Sequence, residues 1–156
     1  MKYLKSMLLF VLVFFSMAYT TRDADAPEKI ILGSIAPEIH LQHLSFKGKY
    51  SLVQFWAAYD AHSRMNNLLL SNKIAKMQRE DVQMISISFD ENRSVFEETI
   101  KTDQLDPSSQ FNIPASKHAD ILRNYHLGKG FRNLLISPDG IIIAVNVSPE
   151  DLMRIL

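Results

Sequence analysis

Residues 50–57, Tyr-Ser-Leu-Val-Gln-Phe-Trp-Ala, are dense in β-forming side chains and apolar on both faces. A strand of that kind needs cover above and below, which places it in the middle of a sheet with helices on both sides. The next segments obey the same logic. Between 60 and 80, Met65, Leu68, Leu69, Ile74 and Met77 recur at helical spacing, with Arg64, Asn66, Asn67, Lys73, Lys76 and Arg79 on the other side. Residues 82–89 read as a second core strand, and 92–105 as a helix carrying Val95, Phe96 and Ile100. Such a strand-helix-strand-helix succession implies parallel pairing through right-handed crossovers.

The flanks complete an α/β domain. Ahead of the central strand, residues 36–42 alternate apolar and polar side chains with the period of a half-buried strand, and 46–49 break it. Downstream, 106–109 read as a loop and 116–125 as a shorter helix with Ile121 and Leu122 inward, stopped at Gly128. Residues 133–137 and 141–146 form a hairpin around Pro138-Asp139-Gly140. Pro149, Glu150 and Asp151 open a terminal helix whose inward residues are Leu152 and Ile155.

The first residues carry an address. Lys2 and Lys5 precede an apolar run over 7–15, and Ser16-Met17-Ala18 supplies small residues for a signal peptidase, so 1–18 are predicted to be a secretory signal peptide. Cleavage after Thr20 and retention as an anchor are the rival readings, but an apolar run this short falls below the roughly 20 residues a bilayer requires. Residues 19–31 read as a flexible leader and 32–156 as the domain. The predicted location is the periplasm.

Composition closes off whole classes of function. The 156 residues include 17 Lys+Arg against 17 Asp+Glu, so no cationic footprint for nucleic acid is present. There is no cysteine. That removes disulfides, thiolate metal sites, thiol nucleophiles and a lipid anchor through Cys, leaving no permanent membrane attachment once the signal is cleaved.

Two strings then point to a family. Leu52-Val53-Gln54-Phe55-Trp56-Ala57-Ala58-Tyr59 is similar to the strand that leads into the Cys-x-x-Cys-Arg motif of thioredoxin-like proteins. Tyr125-His126-Leu127, followed by Asn133-Leu134-Leu135-Ile136-Ser137-Pro138-Asp139-Gly140-Ile141-Ile142, resembles that family's second signature. Their separation fits the TlpA/ResA-like and alkyl-hydroperoxide-reductase-like (AhpC/TSA) envelope domains, and the resemblance implies a central mixed sheet flanked by helices on both faces, with an N-terminal hairpin and an extra strand-helix insert. The resemblance covers roughly 32–156.

At the same positions the chain departs from the family. Where the resemblance places Cys-x-x-Cys stand Asp60, Ala61, His62 and Ser63, with Arg64 retained. The family's cis-proline position falls on Phe131, after Gly128-Lys129-Gly130, and Pro114 lies too early to replace it. Other residues meet a cost of about 2.5–4 kcal/mol for a cis peptide, so this loop is expected to be remodelled.

Thiol-disulfide exchange and peroxide reduction both need a thiolate, which neither Asp60 nor Ser63 supplies. Asp60 suits a helix N-cap. A hydrolytic triad from Asp60, His62 and Ser63 is disfavoured because three residues of one turn do not reach nucleophile, base and orienter positions. A metal site from Asp60 and His62 with His118 or His126 lacks convergent ligands in the sequence, and His40 and His43 fall on opposite faces of the predicted strand. No cofactor is expected.

Trp56 and Tyr59 are expected beneath and beside the altered loop, as core first and binding surface second. Phe131 and Arg132 join Tyr59 as a candidate binding surface for an extended peptide or an envelope protein, the alternative being Phe131 tucked into the core. The function expected is a redox-inactive binding module. The alternatives are a non-thiol enzyme built on Asp60, His62 and Ser63, and an accessory partner of a cysteine-containing oxidoreductase.

Overall fold

A computed structural model describes residues 30–41 and 44–156. The signal-peptide reading, most of the leader, and His43 lie outside the described residues. Among the described residues, the helices and strands in chain order are β1 (Tyr50–Trp56), α1 (Ala61–Met77), β2 (Val82–Ser88), α2 (Arg93–Thr102), β3 (Gln110–Asn112), α3 (Ala115–Asn124), β4 (Asn133–Ile136), β5 (Ile142–Val145) and α4 (Pro149–Ile155). The sheet order is β3-β2-β1-β4-β5. β1 pairs with β2 in parallel and with β4 antiparallel, so Val53 stands opposite both Ile85 and Leu134.

Strand alternation sends β1 side chains into two cores. Val53 and Phe55 meet Ile85, Ile87, Leu134, Ile121 of α3 and Tyr125 on one face. On the other, Leu52 meets Leu70 of α1 and Leu152 of α4, while Trp56 meets Phe96 and Ile100 of α2. Burial of each such side chain contributes about 1.5–3 kcal/mol, and the central strand and its neighbour β4 both use their two faces. Among the described residues no helix is long and apolar enough to cross a membrane.

Several details differ from the expectation. The alternating stretch 36–42 forms no regular strand over its described part. In place of an N-terminal hairpin, residues 33–36 run along the edge of β5, where Ile35 pairs with Ile141 and the Ile142 amide donates to the Ser34 carbonyl at 2.9 Å. The Tyr125 hydroxyl then holds the segment by donating to the Pro37 carbonyl. The insert supplies α2 and the edge strand β3, which is parallel to β2; hydropathy alone marks its three residues only as the sequel of a loop. Ile155, expected inward, is exposed, and so is Val95.

The largest correction concerns α1, whose buried residues are Ser63, Asn67 and Leu70, while Met65 and Leu69 are exposed. Helical spacing assigns Asn67 to the outer side, yet it is 0% exposed. Its amide nitrogen donates to Gln110 Oε1 at 3.0 Å and its Oδ1 accepts from the Ser86 hydroxyl. A polar side chain is tolerated there because both of its ends are hydrogen-bonded to the sheet.

Candidate functional site

The loop between β1 and α1 carries the altered motif, and backbone contacts fix its shape. The Phe89 amide donates to the Trp56 carbonyl at 2.9 Å, extending the parallel ladder by one step, and the Asp60 amide closes a turn on the Ala57 carbonyl at 3.1 Å. The Ala58 amide donates to both carboxylate oxygens of Asp90, at 2.9 and 3.1 Å. Asp90 is almost fully buried; its carboxylate also accepts from Ser88 Oγ at 2.7 Å, and its carbonyl accepts from Asn112 Nδ2 at 2.7 Å. This one residue therefore joins the ends of β1, β2 and β3.

Asp60 starts α1. Its Oδ1 accepts the Ser63 amide at 2.7 Å, and hydrogen bonding from Ser63, this bond first, holds its carboxyl below the usual carboxylate range. Such a cap satisfies an amide that the first helical turn leaves without a partner. Ser63 is buried. Its hydroxyl donates back to the Asp60 carbonyl at 3.2 Å and accepts the Ala57 amide at 3.4 Å. His62 is exposed and lies 3.5 Å from the Asn66 amide. Ala61 is exposed as well. The Arg64 guanidinium forks onto Asp103 with 2.7 and 2.6 Å bonds, tying the first turn of α1 to the end of α2.

Across the loop, the chain enters β4 through a short turn over Leu127–Lys129 and Gly130, whose φ of 118° and ψ of 166° belong to a region open only to glycine. Every peptide bond among the described residues is trans, Phe131 included. The Arg132 carbonyl accepts the Phe55 amide at 3.0 Å, so the backbone after Phe131 is docked on β1. Phe131 is half-buried. Its ring centroid lies 5.2 Å from that of Phe89 and 6.4 Å from that of Tyr59, which is 75% exposed. These three rings line a groove of about 500 Å³ together with Glu91, Val95 and His118. Burial raises the Tyr59 phenol, and Asp90, Asp60 and Glu91 push it further up.

A scan against protein-family models and a search of curated proteins matched nothing. Solved structures do match. A thioredoxin-like protein from Parabacteroides distasonis is 45% identical, with 81% of this chain and 94% of the other covered and a TM-score of 0.76. The chain belongs to the thioredoxin-like family. The thioredoxin domain of a thiol-disulfide oxidoreductase from Bacteroides vulgatus is 26% identical, covering 81% of this chain and 95% of its own at a TM-score of 0.68. A thiol:disulfide interchange protein from a Bacteroides species is 25% identical, with 81% and 88% covered and a TM-score of 0.67.

Within this thioredoxin-like domain, Asp60 and Ser63, the positions at which the resemblance expects the dithiol, hydrogen-bond to each other. Tyr59 and Phe131 come together as one aromatic surface. Trp56 does not join it: at 0% exposure and 6.1 Å from the Phe96 ring, it belongs to the core. Arg132 is half-buried and faces a separate cavity with Lys129 and Val145. His118 packs 4.9 Å from Phe89, and among the described residues no three His, Asp or Glu side chains converge as a metal cluster.

Asp90 is the residue that sequence reasoning missed. Its signal was present: an acidic pair, Asp90-Glu91, directly after a parallel strand, at the carboxyl edge where open α/β sheets place their sites.

Proposed function

We propose that this thioredoxin-like domain is redox-inactive and serves in the bacterial envelope as a non-covalent binding module, its contact surface being the groove formed by Tyr59, Phe89 and Phe131. The observation that carries this reading is the coupling of a capped, cysteine-free loop to an exposed aromatic groove beside it. A thiolate is the reactive species in disulfide exchange, and the chain has none. The Ser63 hydroxyl is buried and returned to the Asp60 backbone, which disfavours the non-thiol enzyme built on Asp60, His62 and Ser63. The aromatic groove has the chemistry from which interface hot spots are made.

Capture from an envelope extract tests it. Wild-type protein and Tyr59→Ala and Phe131→Ala variants are immobilised, and insulin reduction is measured in parallel. No reduction is expected, together with a partner retained by the wild type and lost from both variants. Insulin reduction by the purified chain, or a partner indifferent to both substitutions, overturns the proposal. A second reading, an accessory partner of a cysteine-containing oxidoreductase, is favoured by the Bacteroides oxidoreductases among the similar structures; addition of the chain would then change the turnover of such an enzyme.

A further inference from the structure

The groove is aromatic on its floor and negative at its edge. Asp90 and Glu91 line it, no Lys or Arg does, and Asp60 lies close enough to act on the Tyr59 phenol. Among the described residues none of these three carboxylates is within ion-pair distance of a cationic side chain. The nearby cations are otherwise engaged: Arg64 is bound to Asp103 at 2.6 Å, and Arg93 to Glu97 at 2.7 Å. Lys129 and Arg132 line the separate cavity beyond Phe131.

An exposed carboxylate without an ion-pair partner among the described residues, Glu91, beside the exposed Tyr59 ring and the half-buried Phe131 ring favours one kind of guest. A cation over an aromatic ring is attracted by the negative face of the π-system, and the attraction strengthens as water is displaced. A guanidinium or ammonium on an aliphatic stem also fills an apolar groove with its methylenes while its head stays at the polar edge. An acidic guest would meet repulsion at the same edge.

We propose that the groove selects a polypeptide segment presenting a lysine or arginine between apolar residues, its aliphatic stem over Phe131 and its cationic head at Glu91 and Tyr59. This rests on the binding reading above and names the chemistry of the partner. Charge complementarity sets the choice, while the aromatic floor supplies affinity that any apolar segment shares.

The test uses the full chain and three blocked peptides of equal apolar content, with arginine, norleucine or glutamate at the centre. Calorimetry gives the affinities, and amide chemical-shift changes locate the site. The arginine peptide is expected to bind about tenfold more tightly than the norleucine peptide, and the glutamate peptide more weakly than both. Glu91→Gln brings the arginine affinity down toward that of the norleucine peptide; because Glu91 is exposed, folding is unaffected. Phe131→Ala weakens all three. Equal affinities that still fall with Phe131→Ala overturn the charge selection and leave the binding reading standing. Absence of binding to every peptide at millimolar concentration, or binding indifferent to Phe131→Ala, overturns both.

Discussion

Asn67→Ala is the most informative single perturbation, because it removes a side chain that hydropathy assigns to solvent and the structure buries. Two partners are left behind. Gln110 Oε1 loses a 3.0 Å donor and the Ser86 hydroxyl loses its acceptor, in a region where Ser86 is 0% and Gln110 6% exposed. A buried polar group deprived of its partner costs about 1–3 kcal/mol, so the two together amount to about 2–6 kcal/mol. Against a domain stability of about 5–15 kcal/mol, that is a large share of the total.

Urea unfolding measures the loss, with Trp56 as reporter: it is the single tryptophan, fully buried against α2. The midpoint is expected to fall with an unchanged slope against denaturant, since the surface exposed on unfolding stays the same. Ser86→Ala is the milder companion if Asn67→Ala fails to fold. The pair is expected to be non-additive, with a coupling of about 0.5–3 kcal/mol, because both substitutions break one network. Combining Asn67→Leu, Ser86→Ala and Gln110→Leu recovers much of the deficit, since no orphaned polar group remains. An Asn67→Ala loss below about 1 kcal/mol, or a coupling near zero, refutes the reasoning and returns Asn67 to the role of a solvated residue.

Three further outcomes concern the site and its surroundings. Asp60→Ala is expected to destabilise by about 0.5–2 kcal/mol, whereas Asp60→Asn, a cap of similar strength, is nearly neutral near pH 7. Because the folded-state carboxyl of Asp60 is depressed, its contribution is complete above the unfolded value of 3.8 and is lost as pH falls through the folded value, so the gap between wild type and Asp60→Ala narrows in acid unfolding scans. Tyr125→Phe removes the donor to the Pro37 carbonyl and is expected to cost about 0.5–1.5 kcal/mol, with faster amide exchange over residues 35–41. Burial raises the Tyr125 phenol, so the folded state favours its neutral form; that contribution is complete below the unfolded value of 10.0 and is lost at higher pH, and the phenylalanine variant lacks this alkaline dependence. Gly130→Ala forces a Cβ into φ of 118°, and a cost of about 1–3 kcal/mol with loss of the Tyr59–Phe131 contact is expected by thermal unfolding and NMR.

Legibility in the sequence followed the source of each residue's constraint. β1, β2 and the β4–β5 hairpin were readable because their side chains answer to one demand, burial on a pleated surface, which composition expresses directly. The motif loop was readable because Asp60 acts on an amide three residues away, a distance that sequence spacing preserves. Asn67 and Asp90 were not, for a common reason. Each is a polar residue made acceptable in the interior by partners from other elements: Gln110 is 43 residues from Asn67, and the Ala58 amide 32 from Asp90. Hydropathy scores a side chain alone, whereas burial of a polar group depends on who meets it. The same logic limited the reading of α1, where the inward stripe is set by that pairing and Met65 and Leu69 are turned out. It also explains why the aromatic groove was only half visible. Tyr59 and Phe131 stood out as exposed-loop aromatics, but the negative edge that distinguishes one guest from another comes from Asp90 and Glu91, residues whose importance exists only once β2 is laid beside β1.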